Sequence, residues 1–533
     1  MTSLAGTGQL IRLILRRERL RLAVWAAVLT LVPVGTASAF MQLYPSDAER
    51  ARLTATVATS PAIVSFLGPV YGSDVGALTA WRVGTIGSML IGLMAVLTVI
   101  RNTREDEETG RRELLGSTVL GRHAPLTAAL VVTGGAGVAI GVLVAVGLIT
   151  AGLPVRGAAA FGAAFAAVAV VFATVAGMAA QLTQGAGAAR GIAVGLVGLT
   201  FLLRVAGDGG ETSGLGWLSW LSPIGWFTRV RPFASEHWWV LLLFLGLAAA
   251  FGSGAFGLSS RRDVGAGVIA PRPGPAVAAG WLRTPVALGW RIHRPSLAGW
   301  SAGLIVVGVV YGSLAVSIGD LLNDNPQLAA IFEQLGGSAG ITDAFFSVAT
   351  GFLALIATAY AIRTVLRLRV EEEGLRAEPI LATPAPRLRW AWSHLIFAIL
   401  GPLVMLAVAG AVSGATYGAM VGDVAGEAMK VMGAALVQMP AVWVLAAAAL
   451  ALFGVLPRFT SLSWGVLVTC LLLGQLGQIL QFPQWALDAS PFSHVPRLPA
   501  ADLAVAPLVI LTVIASALIA IGLAGFQRRD VLA

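Results

Sequence analysis

The sequence predicts an all-α polytopic membrane protein with about twelve transmembrane helices in two parallel six-helix repeats. Three observations carry that expectation. Hydrophobic residues make up 57% of the 533 and charged residues 11%, whereas a soluble domain carries about 25% charged residues. The apolar residues gather in runs near the ~20 residues that cross a bilayer. The charged residues recur at matching places in both halves of the chain.

Taken in order, residues 8–21 (GQLIRLILRRERLR) set Leu10, Leu13 and Ile14 on one helical face and Arg12, Arg16 and Arg19 on another. That pattern predicts an amphipathic elbow helix lying at the interface. The stretch is too basic and too long before the first apolar run to be a cleavable signal. Spans follow near 22–43, 79–100, 125–151, 157–180, 189–206 and 237–257. A Pro/Gly-rich linker at 261–283 separates the first half (1–260) from the second (284–533). The second half repeats the plan, with an interfacial segment at 284–295. Its spans lie near 296–318, 343–366, 391–417, 428–455, 461–481 and 503–526. The single cysteine, Cys470, lies within an apolar run, which excludes a disulfide framework or a cysteine-based metal site.

The halves match at several separate places. Arg16, Arg19, Leu22 and Trp25 pair with Arg291, Arg294, Leu297 and Trp300 at an offset of 275. The densest charge lies in RNTREDEETGRRELLGSTVLGR, from Arg101, and again in RTVLRLRVEEEGLRAEPILATPAPR, from Arg363. There Glu107, Glu108 and Gly110 pair with Glu371, Glu372 and Gly374 at 264, and Glu113 and Arg122 with Glu378 and Arg387 at 265. Ser222-Pro223 matches Ser490-Pro491, and Arg261-Arg262-Asp263 matches Arg528-Arg529-Asp530. An even number of spans per half gives both halves one orientation, hence parallel repeats.

Most of the 35 basic residues fall on one alternating set of connections, including both charged loops and both termini. The positive-inside rule places that set in the cytoplasm. The expected location is the plasma (inner) membrane, multi-pass. The outer connections carry Trp217, Trp220 and Trp226, which fit an interfacial belt. Arg82, Arg204, Asp343 and the pair Glu427/Lys430 sit near outer span ends, where snorkelling accounts for them. Gln181, Gln438, Gln475, Gln478 and Gln481 fall within spans, the last three spaced to form one stripe. They are candidates for a translocation path, or for hydrogen bonds between helices. The glycines of the third span (Gly134, Gly135, Gly137, Gly141) predict close helix packing. No cluster has metal-ligand spacing, and nothing resembles a nucleic-acid groove.

A phosphate-cradling P-loop needs a lysine between its glycines and a Ser or Thr. The only lysine, Lys430, lies between Met429 and Val431. An ATPase, where one is used, is therefore expected on another chain. The order of elbow, span, long outer loop, second span and acidic–Gly–Glu-Leu-Leu–Ser-Thr–Arg loop, with a Ser-Pro before each half's last span, resembles the ABC-2 type permeases. The likeness is to the fused, double-length form found in polyketide antibiotic (tetronasin-type) exporters. It runs the length of the chain, with its specific residues confined to the elbow, the two loops and the Ser-Pro turns. The resemblance implies an exporter of hydrophobic or amphiphilic, antibiotic-like compounds, without an ATPase site of its own. It implies two separate ATP-binding cassette subunits holding ATP and Mg. It also implies a coupling helix in each loop, docking through Glu107, Glu108, Gly110, Arg112, Glu113 and Arg122, and through Glu371, Glu372, Gly374, Arg376, Glu378 and Arg387. Pro379, Pro384 and Pro386 would interrupt the second such helix, making the two contacts unequal.

An ion-coupled multidrug antiporter of the major facilitator type shares the twelve-span plan. Its loop pattern G-x-x-x-D-R-x-G-R-R is met here only at Gly110-Arg111-Arg112. Thr103, Glu107 and Glu108 stand where Gly, Asp and Arg are required. A lipid exporter is equally compatible with the apolar spans.

Overall fold

A computed structural model describes residues 3–59, 61–116, 119–209, 214–263, 265–269, 274–323, 337–384, 386–476 and 483–530. Among these the secondary structure is helical throughout. Thirteen helices carry the apolar runs. In the first unit they are α1 (Thr7–Leu43), α2 (Val75–Arg101), α3 (Ala124–Thr150), α4 (Val155–Leu182), α5 (Ala186–Gly209) and α6 (Leu241–Arg261). In the second they are α7 (Pro285–Asn323), α8 (Gly337–Glu373), α9 (Arg387–Val421), α10 (Val424–Leu436), α11 (Met439–Val455), α12 (Leu462–Leu476) and α13 (Val505–Arg528). Among the described residues eleven segments are long and apolar enough to cross a membrane, α10 and α11 together forming one of them. The chain is thus a multi-pass α-helical membrane protein. The remaining expected span, 461–481, meets the shorter α12 and then passes outside the described residues.

The chain divides into two compact units, Met1–Gly274 and Pro275–Ala533. In the first, α4 packs against α2, α3, α5 and α6. It is lined by Phe161, Phe165 and Phe172, all buried. Glycines on α2 make room for these rings: a methyl at Gly87 would strike Phe165, and one at Gly92 would strike Phe172. The α3–α4 crossing is closer still. Gly141 and Gly162 each lie where a methyl would run into the other's carbonyl, the small-residue contact that lets helix backbones approach in a bilayer. Gly137 joins that contact against Ala169, whereas Gly134 and Gly135 pack less tightly. In the second unit α9 packs against α7, α8 and α10. There α11 lies on α13, meeting it through Gly454 and Gly522.

Two expectations are corrected here. The amphipathic segment 8–21 is not a separate elbow. It is the start of the 37-residue α1, whose length of about 55 Å exceeds the ~30 Å hydrocarbon core. Segment 284–295 likewise runs into α7, with Pro295 inside the helix. In α1 the apolar face has a partner and the helix has no reason to stop: Leu10 and Ile14 are buried with Ala124, Ala128 and Val132. Nor is Trp226 a belt residue. It is buried, and its indole N–H donates to the Trp220 carbonyl at 2.6 Å.

Candidate functional site: the charged loops

The α2 helix ends at Arg101, and the chain turns through Asn102 and Thr103 into two short helices, Arg104–Glu108 and Arg111–Gly116. Gly110, at φ +71°, makes the left-handed turn between them, a conformation glycine adopts without cost. The expected single coupling helix is therefore split. Glu107 is the hub. Its side chain is 3% exposed and it meets three guanidinium groups. Arg262 grips it in a fork, Nη2 to Oε1 at 2.8 Å and Nη1 to Oε2 at 2.9 Å. Arg104 and Arg112 press on the same carboxylate.

The surplus positive charge is spread over acceptors. Arg104 donates to the carbonyls of Gln184 (2.7 Å) and Ala266 (2.9 Å). Arg262 donates to the Gln181 side-chain oxygen (2.6 Å) and to the Ala266 carbonyl (2.8 Å). Burial, helped by the neighbouring Arg262, pulls the Arg112 pKa down to about 10, so the group stays charged at neutral pH. Burial also lowers the pKa of Arg262.

Other ties extend this hub. Glu108 accepts the Ala186 backbone N–H at 2.8 Å, placing a carboxylate at the N-terminus of α5, where the helix dipole favours it. Glu105 pairs with Arg190 (2.7 Å) and Asp106 with Arg17 of α1 (2.9 Å). Glu18 of α1, fully buried, pairs with Arg101 at 2.8 Å and accepts from Asn102 at 3.3 Å. Arg122 closes the loop on α6, donating to the carbonyls of Ser259 (3.1 Å) and Arg262 (2.9 Å).

The second loop repeats this on a sparser plan. Here α8 runs unbroken to Glu373, and only a four-residue helix, Glu378–Leu381, follows. Arg529 grips buried Glu372 at 2.9 and 2.7 Å while lying over the rings of Phe453 and Phe526. Arg387 donates to the Arg529 carbonyl at 2.9 Å, as Arg122 does to that of Arg262. Arg369 donates to the Pro457 carbonyl, as Arg104 does to that of Gln184. Glu371 pairs with Arg367 (2.6 Å) and Arg376 (2.7 Å).

These contacts correct the pairing read from the letters. Glu372, not Glu371, does what Glu107 does, and the left-handed position matching Gly110 is Leu375 (φ +54°), not Gly374. The offset is 265 from Arg104/Arg369 through to Arg122/Arg387. The glycine letters lie one residue out of register with the fold.

Of the expected docking residues, Glu107, Glu371 and Glu372 have buried side chains. Arg112 is mostly enclosed, and Arg122 and Arg387 are spent on the helix ends. Glu108, Glu113, Gly374, Arg376 and Glu378 face outward. Gln181 sits at the end of α4, donating to the Gly177 carbonyl at 3.0 Å and held by Arg262. Gln438 is buried between α10 and α11. The side chain of Gln475, and Gln478 and Gln481 entirely, lie outside the described residues.

Arg204 does not snorkel. It is buried, paired with Asp208 at 2.8 Å, and donates to the Phe66 and Ser65 carbonyls at 2.7 and 2.8 Å. The sequence reading also missed a buried pair on α7 and α9, His293 Nε2 to His394 Nδ1 at 2.9 Å. Two isolated histidines, a hundred residues apart, gave no signal.

Comparison with known proteins places the chain. Residues 282–527 match the family described as the C-terminal domain of the multidrug efflux system permease Rv1217c. Over 528 residues the chain is 44% identical to the multidrug efflux system permease protein Rv1217c of Mycobacterium tuberculosis, covering 99% of this chain and 95% of that one.

Proposed function

The chain belongs to the family of multidrug efflux system permeases that includes Rv1217c, and from that premise we propose that it is the membrane subunit of an ATP-driven drug exporter. It moves hydrophobic or amphiphilic compounds outward. The energy comes from two ATP-binding cassette subunits on separate chains, which hold ATP and Mg. The termini and both charged loops face the cytoplasm. The two halves are parallel repeats, each entered by an amphipathic segment.

One observation supports this reading above the rest: each charged loop is clamped to the end of its unit's last long helix by the same pair of contacts. Glu107–Arg262 with Arg122 does so in one unit, and Glu372–Arg529 with Arg387 in the other. A loop that served only to set topology would need arginines alone. A buried carboxylate held by charge-assisted hydrogen bonds from a guanidinium fixes geometry, so force applied to the loop reaches the helix. The surface left for a partner is the outward set, Glu108, Glu113, Gly374, Arg376 and Glu378.

The test uses inside-out vesicles containing the chain with and without its ATPase. Uptake of a hydrophobic dye should require both the ATPase and hydrolysable ATP. Uptake by the chain alone, driven by a proton gradient, would replace this reading with the antiporter.

A further inference from the structure

In the first unit the start of α1 lies tight against its charged loop. Leu10 and Ile14 are buried, Arg17 reaches Asp106, and the space left beside them is about 40 Å³. The matching place in the second unit is built differently. At an offset of 275 Gly289 replaces Ile14 and Ile292 replaces Arg17. The helices α7 and α9 touch through backbone there, since a methyl at Gly289 would strike the Ser393 carbonyl. Beside that contact a cavity of about 200 Å³ opens. Leu288, Ile292, Ile380 and Trp390 give it apolar walls, with Glu371 and Arg376 at one side and buried His394 at another.

We infer that this cavity binds a small amphiphilic anion, an aryl or short alkyl group carrying one carboxylate. Size sets the apolar part: a cavity of about 150 Å³ holds a benzene ring, so 200 Å³ takes a ring with a short tether. Charge sets the head group. Glu371 is already met by Arg367 at 2.6 Å and by Arg376 at 2.7 Å, leaving one positive charge in excess. Arg376 is half-exposed; it meets Glu371 through Nε and the Val370 carbonyl through Nη2, so its Nη1 edge is the one a ligand carboxylate would take. A cation would meet the Arg376 guanidinium at the cavity's edge, beside a Glu371 that Arg367 already neutralises. The matching place in the first unit, at about 40 Å³, is too small for such a ligand, so the site proposed here is the second unit's. Its occupant would bridge the start of α7 and the second charged loop.

Fluorine NMR on the full chain in nanodiscs of uncharged lipid tests this, with 3-(4-fluorophenyl)propanoate, the matching alcohol and the matching amine as probes. The propanoate should bind saturably, the alcohol more weakly and the amine not at all. Arg376→Gln should weaken the propanoate roughly tenfold, about 1.4 kcal/mol for a charge-assisted hydrogen bond, and leave the alcohol within about twofold. Arg376→Lys should restore part of the loss. Because Arg376 is on the surface, these variants do not depend on repacking the core. Ile292→Phe, which fills the cavity, should remove propanoate and alcohol binding together. Equal binding of amine and propanoate, or propanoate binding unchanged in Arg376→Gln, would overturn the site. No ATPase is present in this assay, so its failure would leave the exporter reading untouched.

Discussion

Glu107 and Glu113 stand six residues apart and separate the structural part of the loop from its free surface. Glu107 is enclosed by Arg104, Arg112 and Arg262, so Glu107→Gln leaves three guanidinium groups without their carboxylate. Breaking a buried ion pair costs about 3–5 kcal/mol. Glu107→Gln should therefore lower the unfolding temperature of the purified chain sharply, and Glu113→Gln should not; equal midpoints would show that the hub carries no stability. Leu375 gives the opposite case. It is a non-glycine residue in the left-handed region, with its side chain largely exposed. That conformation costs about 1–2 kcal/mol, against roughly 0.5–1 kcal/mol for the added freedom of an unfolded glycine. Leu375→Gly should thus raise stability by up to about 1 kcal/mol, and a lower midpoint would contradict the strain. Composition and letter pairing pointed to these loops but not to the division of labour within them. Whether a glutamate is a clamp or a contact depends on which arginine folds back onto it, here one 155 residues away in sequence.

At the scale of elements, the α3–α4 crossing rests on one glycine pair. Gly162→Leu would push α4 off α3 at Gly141, and overpacking of this kind costs about 1–3 kcal/mol. Gly135→Leu, on an exposed stretch of the same α3, should be silent. Thermal unfolding of the two variants checks this, and equal losses would remove the crossing from the account. The glycine-rich third span was legible in the sequence, but which glycine meets a backbone was not. Helix breaks were read least well. The amphipathic segments looked separate because their charge pattern differs from the spans that follow. In the fold, buried contacts for Leu10 and Ile14 and the Glu18–Arg101 pair carry α1 straight through.

For the whole molecule, the orientation rests on where the arginines fall, and cysteines introduced after Cys470→Ala test it. Gly8→Cys, Glu113→Cys and Glu378→Cys should be shielded from an impermeant maleimide in intact cells, while Ser46→Cys reacts. Labelling of Glu113→Cys from outside would invert the topology. The apolar helices were readable because apolar runs are local facts. The α7/α9 cavity and the histidine pair were not, because they arise from residues a hundred positions apart whose contact only the fold creates.

The central claim is that the outward faces of the two clamped loops receive the ATPase. Its most direct measurement is co-purification of the ATPase with Glu113→Lys/Glu378→Lys, two exposed residues at the same place in each unit. Turning a charge at a partner contact repulsive costs on the order of 2–5 kcal/mol, or roughly 30-fold or more in affinity. The account predicts a chain that inserts and unfolds like wild type yet loses its ATPase and its dye export. Full retention of both would contradict it.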